Sequence, residues 1–204
     1  MLDGSNRGLS ERFWHALARP LSRIGLSPNQ VTWTGLVFVL GNCAVYAIHR
    51  QNVWFGVGLV VSFSFDGLDG AVARLTGTSS KYGGYLDAVI DRYQEIAVYF
   101  AIAWVTGWWM TSFLAVTGSL LVSYNKARTA MEIPIDNHNW PDLLERFERL
   151  VIICAALVLD SFIPLPSMLG GSVLYLGVLA IAVLSHVTAI QRFIRARAML
   201  LKDK

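Results

Sequence analysis

Charge is scarce in this 204-residue chain. Only 15% of its residues are Asp, Glu, Lys or Arg, against roughly 25% in an average soluble domain. With 54% hydrophobic residues and a mean hydropathy of +0.49, this excludes a disordered chain and leaves little room for a soluble domain. Cysteine is nearly missing too. Cys43 and Cys154 both lie in apolar runs, which excludes a disulfide scaffold and reads as two small buried hydrophobes. Repeats, linkers and low-complexity tracts are absent, so the chain reads as one domain, 1–204. An early apolar stretch of the kind that opens a cleavable signal is missing; Asp3, Arg7, Glu11 and Arg12 stand there instead. Histidine is sparse and scattered (His15, His49, His138, His186), and no Ser-His pairing of the kind a nucleophilic catalyst uses lies beside Asp66, Asp69, Asp87 or Asp91.

What is present is apolar sequence in long runs. A bilayer core about 30 Å thick takes roughly 20 helical residues. Six segments meet that need: about 31–49, 53–73, 84–105, 108–130, 147–164 and 168–191. The expected fold is therefore all-α, a polytopic membrane protein of six transmembrane helices. Residues 9–24 alternate apolar and basic positions at helical spacing, which predicts an interfacial amphipathic helix interrupted near Pro20. Gly25 should end it, and Ser27-Pro28 should cap and start the first span. Placing both termini in the cytoplasm puts sixteen of the seventeen Lys and Arg residues on or near that side, with Arg50 outside. Trp54, Trp104, Trp108 and Trp109 then form an aromatic belt at the outer interface.

Four aspartates break the apolar pattern. Asp66 and Asp69 are three residues apart, and Asp87 and Asp91 four apart; each spacing puts a pair on one helix face. The short connection between spans two and three makes them antiparallel neighbours, so the pairs converge at one depth. An Asp at a helix centre costs roughly 2.5–3.5 kcal/mol to insert, and mutual repulsion adds to this. Carboxylate oxygens are hard ligands suited to Mg²⁺, Ca²⁺ or Mn²⁺, and two divalent cations would neutralise all four charges. The competing reading is a set of ion pairs joining two helices, for which only Arg74 and Arg92 are at hand. Gly70, Ala73, Gly83 and Gly84 leave the same region without bulk. That gives either close helix packing or room for a ligand. Two metals, a small-residue pocket and an arginine suit in-line displacement at phosphorus.

These residues read D-x2-D-G-x2-A-R-x8-G-x3-D-x3-D, and the pattern resembles the signature of the CDP-alcohol phosphotransferase (phosphatidyltransferase) family at all eight fixed positions. The Gly-Leu-Ser-Pro-Asn-Gln-Val-Thr stretch at 25–32 and the six spans are similar to that family as well. The resemblance implies transfer of a phosphatidyl-type group from a CDP-linked lipid, CDP-diacylglycerol or CDP-archaeol, to an alcohol, releasing CMP. It implies a metal site of Asp66, Asp69, Asp87 and Asp91 holding Mg²⁺ or Mn²⁺, two ions, with Asp91 also the base that deprotonates the acceptor. It implies CDP-lipid contacts from Gly70, Ala73, Arg74 and Gly83, and often a homodimer.

A second polar zone, Lys126 and Arg128, Glu145 to Arg149, and Gln191-Arg192, lies at the inner ends of spans four, five and six. Positive-inside bias explains Arg195, Arg197, Lys202 and Lys204. Lys126, Arg149 and Arg192 border apolar runs, and a group of cations there suits an acceptor that carries a phosphate. Ser123–Arg128, Glu145–Leu150 and Gln191-Arg192 are similar to stretches of the inositol-phosphate-accepting branch of the family. That resemblance implies inositol phosphate as acceptor, held by Lys126, Arg149 and Arg192, with Arg146 and Arg128 beside them. The long segment between Arg128 and Glu145 leaves glycerol phosphate as the competing acceptor. A cation transporter or channel is the reading from another class. It fits poorly, because all four acids fall in one helix hairpin and no second copy exists. Membrane lipids are the expected surroundings, the cell membrane the expected location, and nucleic acid is not an expected partner.

Overall fold

Ser27, Pro28 and Gln30 fix where the first long helix begins. The Ser27 N–H donates to the Gln30 side-chain oxygen at 2.8 Å, and the Gln30 N–H donates to Ser27 Oγ at 3.3 Å. This is a reciprocal capping box around a proline in the first turn. The computed structural model describes Trp14 and residues 16–135, 143–166 and 171–202. Among them helical residues 16–23 (α1) precede α2 (Pro28–His49), α3 (Asn52–Thr76), α4 (Lys81–Thr106), α5 (Trp109–Glu132), α6 (Arg146–Asp160) and α7 (Val173–Lys202). No strand occurs among the described residues. Helices thus stand at all six expected positions. Pro28–His49, Asn52–Thr76 and Val173–Leu201 are long and apolar enough to cross a membrane. The expected fifth span, 147–164, is shorter in the structure: α6 ends at Asp160 after 15 residues, about 22 Å of helix. Residues 9–13, His15 and His138, and the start of the expected sixth span at 168–170, lie outside the described residues.

The chain divides into two compact units, Met1–Val45 with Val57–Val98, and Tyr46–Gly56 with Tyr99–Lys204. In the first, α1 packs its apolar face on protein. Ala18 is wholly buried with Val31, Ala71 and Val72, and Trp14, Leu21, Leu26, Phe65 and Leu68 close around them. The helix runs through Pro20, whose carbonyl still accepts from the Ile24 N–H. A proline removes one ladder bond, and the packed Ala18 and Leu21 hold the turn in place. α1 ends as expected at Gly25 (φ +78°). The Leu26 N–H bonds Leu21 O and the Gly25 N–H bonds Ser22 O, the paired bonds of a Schellman ending that only a left-handed residue allows. Further along, Leu36 packs with Leu86 and Ile90.

In the second unit α5 and α6 both pack on α7. The core is Ile153 and Leu157 of α6 with Leu174, Val178 and Ile181 of α7, all nearly fully buried. Asp160 ties its ends: one oxygen accepts from Ser172 Oγ (2.7 Å) and the Leu174 N–H (3.1 Å), the other from Asn52 Nδ2 (2.7 Å). Asn52 in turn accepts from Tyr46 OH at 2.7 Å. Both cysteines are buried free thiols, as the sequence implies. Trp104 and Trp109 are exposed and meet edge-on.

Close packing rests on small residues. A Cβ at Gly177 would meet Ala156 Cβ at 2.6 Å, and one at Gly41 meets nothing within 4 Å. Overpacking costs about 1–3 kcal/mol. Gly177→Val should therefore lower the melting temperature of the detergent-purified protein by about 2–10 °C, with Gly41→Ala leaving it level or higher; equal melting curves for both would contradict this packing.

Candidate active site

A four-residue turn joins the two helices that carry the aspartates. Gly77 takes φ +65°, and the Thr78 N–H closes on Ala73 O at 3.0 Å. Ser80 then caps α4 by accepting from the Gly83 N–H at 3.0 Å. The helical period does the rest: Asp66, Asp69, Gly70 and Ala73 follow one face of α3, and Gly83, Asp87 and Asp91 follow one face of α4.

Asp66, Asp87 and Asp91 each offer a carboxylate oxygen, all within 4.8 Å of one another. Asp91 is buried and the other two are half-buried. Asp69 is placed differently. Its Oδ2 accepts from Thr32 Oγ1 at 2.5 Å and its Oδ1 from the Gly70 N–H at 2.5 Å. The Gln94 amide of α4 donates to Asp66 Oδ1 at 3.4 Å. The ion pair between Arg92 and Asp91 (3.2 Å) joins neighbours on one helix, so it does not clamp α3 to α4. A set of hard anionic oxygens this close, in apolar surroundings, fits a divalent cation of the Mg²⁺ or Mn²⁺ type.

Beside the carboxylates lies a cavity of about 240 Å³. Its wall includes Gly70, Ala73, Arg74 and Gly83, together with Asp69 and Asp87. Glycine geometry separates the two roles that the sequence leaves open. At Gly35 and Gly67 a Cβ would strike Phe65 Cβ at 2.9 Å and the Trp14 ring at 2.8 Å, so these serve packing. At Gly84 a Cβ meets nothing within 4 Å, and at Gly70 only the tip of Arg74 at 3.4 Å. Those two serve space. The cavity wall also includes residues that sequence reading passed over: Asn29 and Thr32 from α2, and Thr78 to Ser80 from the turn. The 25–32 stretch signals the first pair; nothing local signals the hydroxyl-rich turn.

In the second unit, Arg149 and Arg192 are buried to 1% and 4% exposure. Both reach the start of α6. Arg149 Nη1 donates to Leu144 O at 3.4 Å. Arg192 Nη1 donates to Val122 O, and its Nη2 lies 4.0 Å from Glu145 Oε1. Glu145 and Glu148 form the capping box of that helix. Lys126 and Arg146 are half-buried, and Arg128 is exposed and paired with Glu132 at 2.5 Å. Buried guanidiniums at a helix N-terminus suit an anion.

Three comparisons bear on this arrangement. The model of the family "CDP-alcohol phosphatidyltransferase" matches residues 26–188. Archaetidylinositol phosphate synthase of Pyrococcus horikoshii is 35% identical over 187 residues, covering 90% of each chain. Phosphatidylinositol phosphate synthase of Mycolicibacterium smegmatis is 34% identical, covering 86% of this chain and 82% of that one. The crystal structure of Mycobacterium tuberculosis phosphatidylinositol phosphate synthase with CDP-DAG bound superposes with a TM-score of 0.78 at 27% identity, over 91% of this chain and 94% of that one. A second structure of that synthase, in complex with manganese and citrate, gives a TM-score of 0.77 at 28% identity, over 90% and 88% of the two chains.

Removing one charge from a like-charge cluster relieves repulsion, and a ligand that binds the folded state raises its melting temperature. Asp87→Asn should therefore melt no lower than the parent protein without metal, and should lose most of the rise that Mn²⁺ produces. Thermal shift with and without Mn²⁺ measures both; an undiminished rise would remove Asp87 from the metal site.

Proposed function

Since this chain belongs to the CDP-alcohol phosphatidyltransferase family, we propose that it transfers a phosphatidyl-type group from CDP-diacylglycerol or CDP-archaeol to inositol phosphate, releasing CMP. The supporting observation is the pairing, on α3 and α4, of three converging carboxylates with a cavity walled by Gly70, Ala73, Arg74 and Gly83. The relatives' names support inositol phosphate as the acceptor.

The donor's CDP part occupies the cavity, where the missing side chain at Gly70 admits it to the backbone, Ala73 and Gly83 line it, and Arg74 offsets diphosphate charge. Asp66, Asp69, Asp87 and Asp91 would hold two Mg²⁺ or Mn²⁺ ions, which would supply Lewis-acid polarisation of the diphosphate. Asp91 takes the proton from the acceptor hydroxyl as its oxygen attacks the lipid-side phosphorus. The bond from that phosphorus to the bridging oxygen breaks, and CMP leaves with the electron pair. Thr32 holds Asp69 in place during this step. Arg149, Arg192 and Lys126, with Arg146 and Arg128 nearby, hold the acceptor's own phosphate. The protein works as a single six-span domain and as a homodimer in the cell membrane, with both termini and the site facing the cytoplasm.

CMP release by purified protein with each CDP-lipid and Mg²⁺ or Mn²⁺ tests this. Turnover with inositol phosphate and not with inositol, glycerol phosphate or serine is the expected result; turnover with glycerol phosphate alone would change the product. Asp91→Asn should lower kcat about 100-fold or more with donor binding retained. Arg192→Gln should raise the acceptor KM about tenfold or more and leave the donor KM within about twofold, and an unaltered acceptor KM would remove Arg192 from the phosphate site.

A further inference from the structure

Gln94 is a fully buried polar side chain, at 0% exposure, inside a helix of a membrane protein. It follows Asp87 and Asp91 at i, i+4 and i+7, so α4 presents two carboxylates and then an amide on one face. Its Nε2 donates across to Asp66 Oδ1 on α3 at 3.4 Å. α2 closes on the same amide: a Cβ at Gly35 would stand 3.6 Å from Gln94 Nε2. A neutral amide is the suitable donor there. A lysine or arginine would neutralise Asp66 and repel an incoming cation, whereas an amide orients the carboxylate and leaves its charge available.

We propose that Gln94 is a positioning residue for the metal site, holding Asp66 so that its carboxylate converges with those of Asp87 and Asp91. The inference rests on the metal-dependent reading above. Partners that orient metal ligands are typically worth about 10–100-fold in metal affinity.

The test is Mn²⁺ titration by electron paramagnetic resonance on the purified full chain, with kinetics at varied Mn²⁺. Gln94→Met keeps the length and removes the donor. It should weaken Mn²⁺ binding about tenfold, and raising Mn²⁺ should recover CMP release with the donor KM within about twofold of the parent. If Gln94→Met does not purify folded, Gln94→Asn carries the same test, since its shorter stem cannot span to Asp66; it should also weaken Mn²⁺ binding. Unchanged Mn²⁺ affinity in the folded variant, with only a lower melting temperature, would make Gln94 a helix-packing residue and overturn the proposal. Asp66→Asn is the control. If it loses Mn²⁺ binding and Gln94→Met does not, only this inference fails; if Asp66→Asn binds Mn²⁺ as the parent does, the metal-site reading fails with it.

Discussion

Holding several carboxylates together among apolar helices is the constraint that the rest of the first unit answers. Each charge resists burial, and each repels the others. The structure meets this with neutral donors at Asp69 and Asp66 and with Arg92 at Asp91. Thr32 and the Gly70 N–H bond Asp69, and the Gln94 amide bonds Asp66. These bonds hold Asp69 and Asp66 in place without discharging them. What they leave is a concentrated negative site beside an open cavity, a charge that divalent cations would offset.

Glycine serves two opposite ends in this chain, and both bear on the site. Gly67 lets the Trp14 ring come close to α3 next to Asp66, and Gly35 lets α2 approach Phe65. Those contacts bring the helices close enough to share hydrogen bonds with the aspartates. Gly70 and Gly84 do the reverse, leaving space where side chains would otherwise stand. The same residue type thus tightens the scaffold and empties the pocket within about two turns of helix.

The second unit solves a related problem with cations. Arg149 and Arg192 are buried deeply, and each is anchored through backbone carbonyls, Leu144 O and Val122 O. Backbone carbonyls hold these guanidiniums as amide and hydroxyl contacts hold Asp66 and Asp69, and Glu145 stands 4.0 Å from Arg192. Arg128 shows the contrast: it is exposed and paired with Glu132 on its own helix, where solvent screens its charge.

Helix positions and caps were legible in the sequence because they are local. Ser27, Pro28 and Gln30 mark the start of α2, Gly25 marks the end of α1, and apolar runs mark the six long helices. The i, i+3 and i, i+4 spacings also put each aspartate pair on one face, since the helical period alone decides that. Contacts between helices were not legible. That Pro20 leaves α1 intact, that α6 stops at Asp160, that Asp69 turns to Thr32 and that Gln94 meets Asp66 depend on residues 28 to 37 positions apart in sequence, or on packing around the turn. The sequence by itself determined which chemical groups stand on which helix face, because 3.6 residues per turn is a property of the backbone. Only the tertiary structure decided which groups meet and which glycines stay open, because that is set by how side chains on different helices fill a common volume.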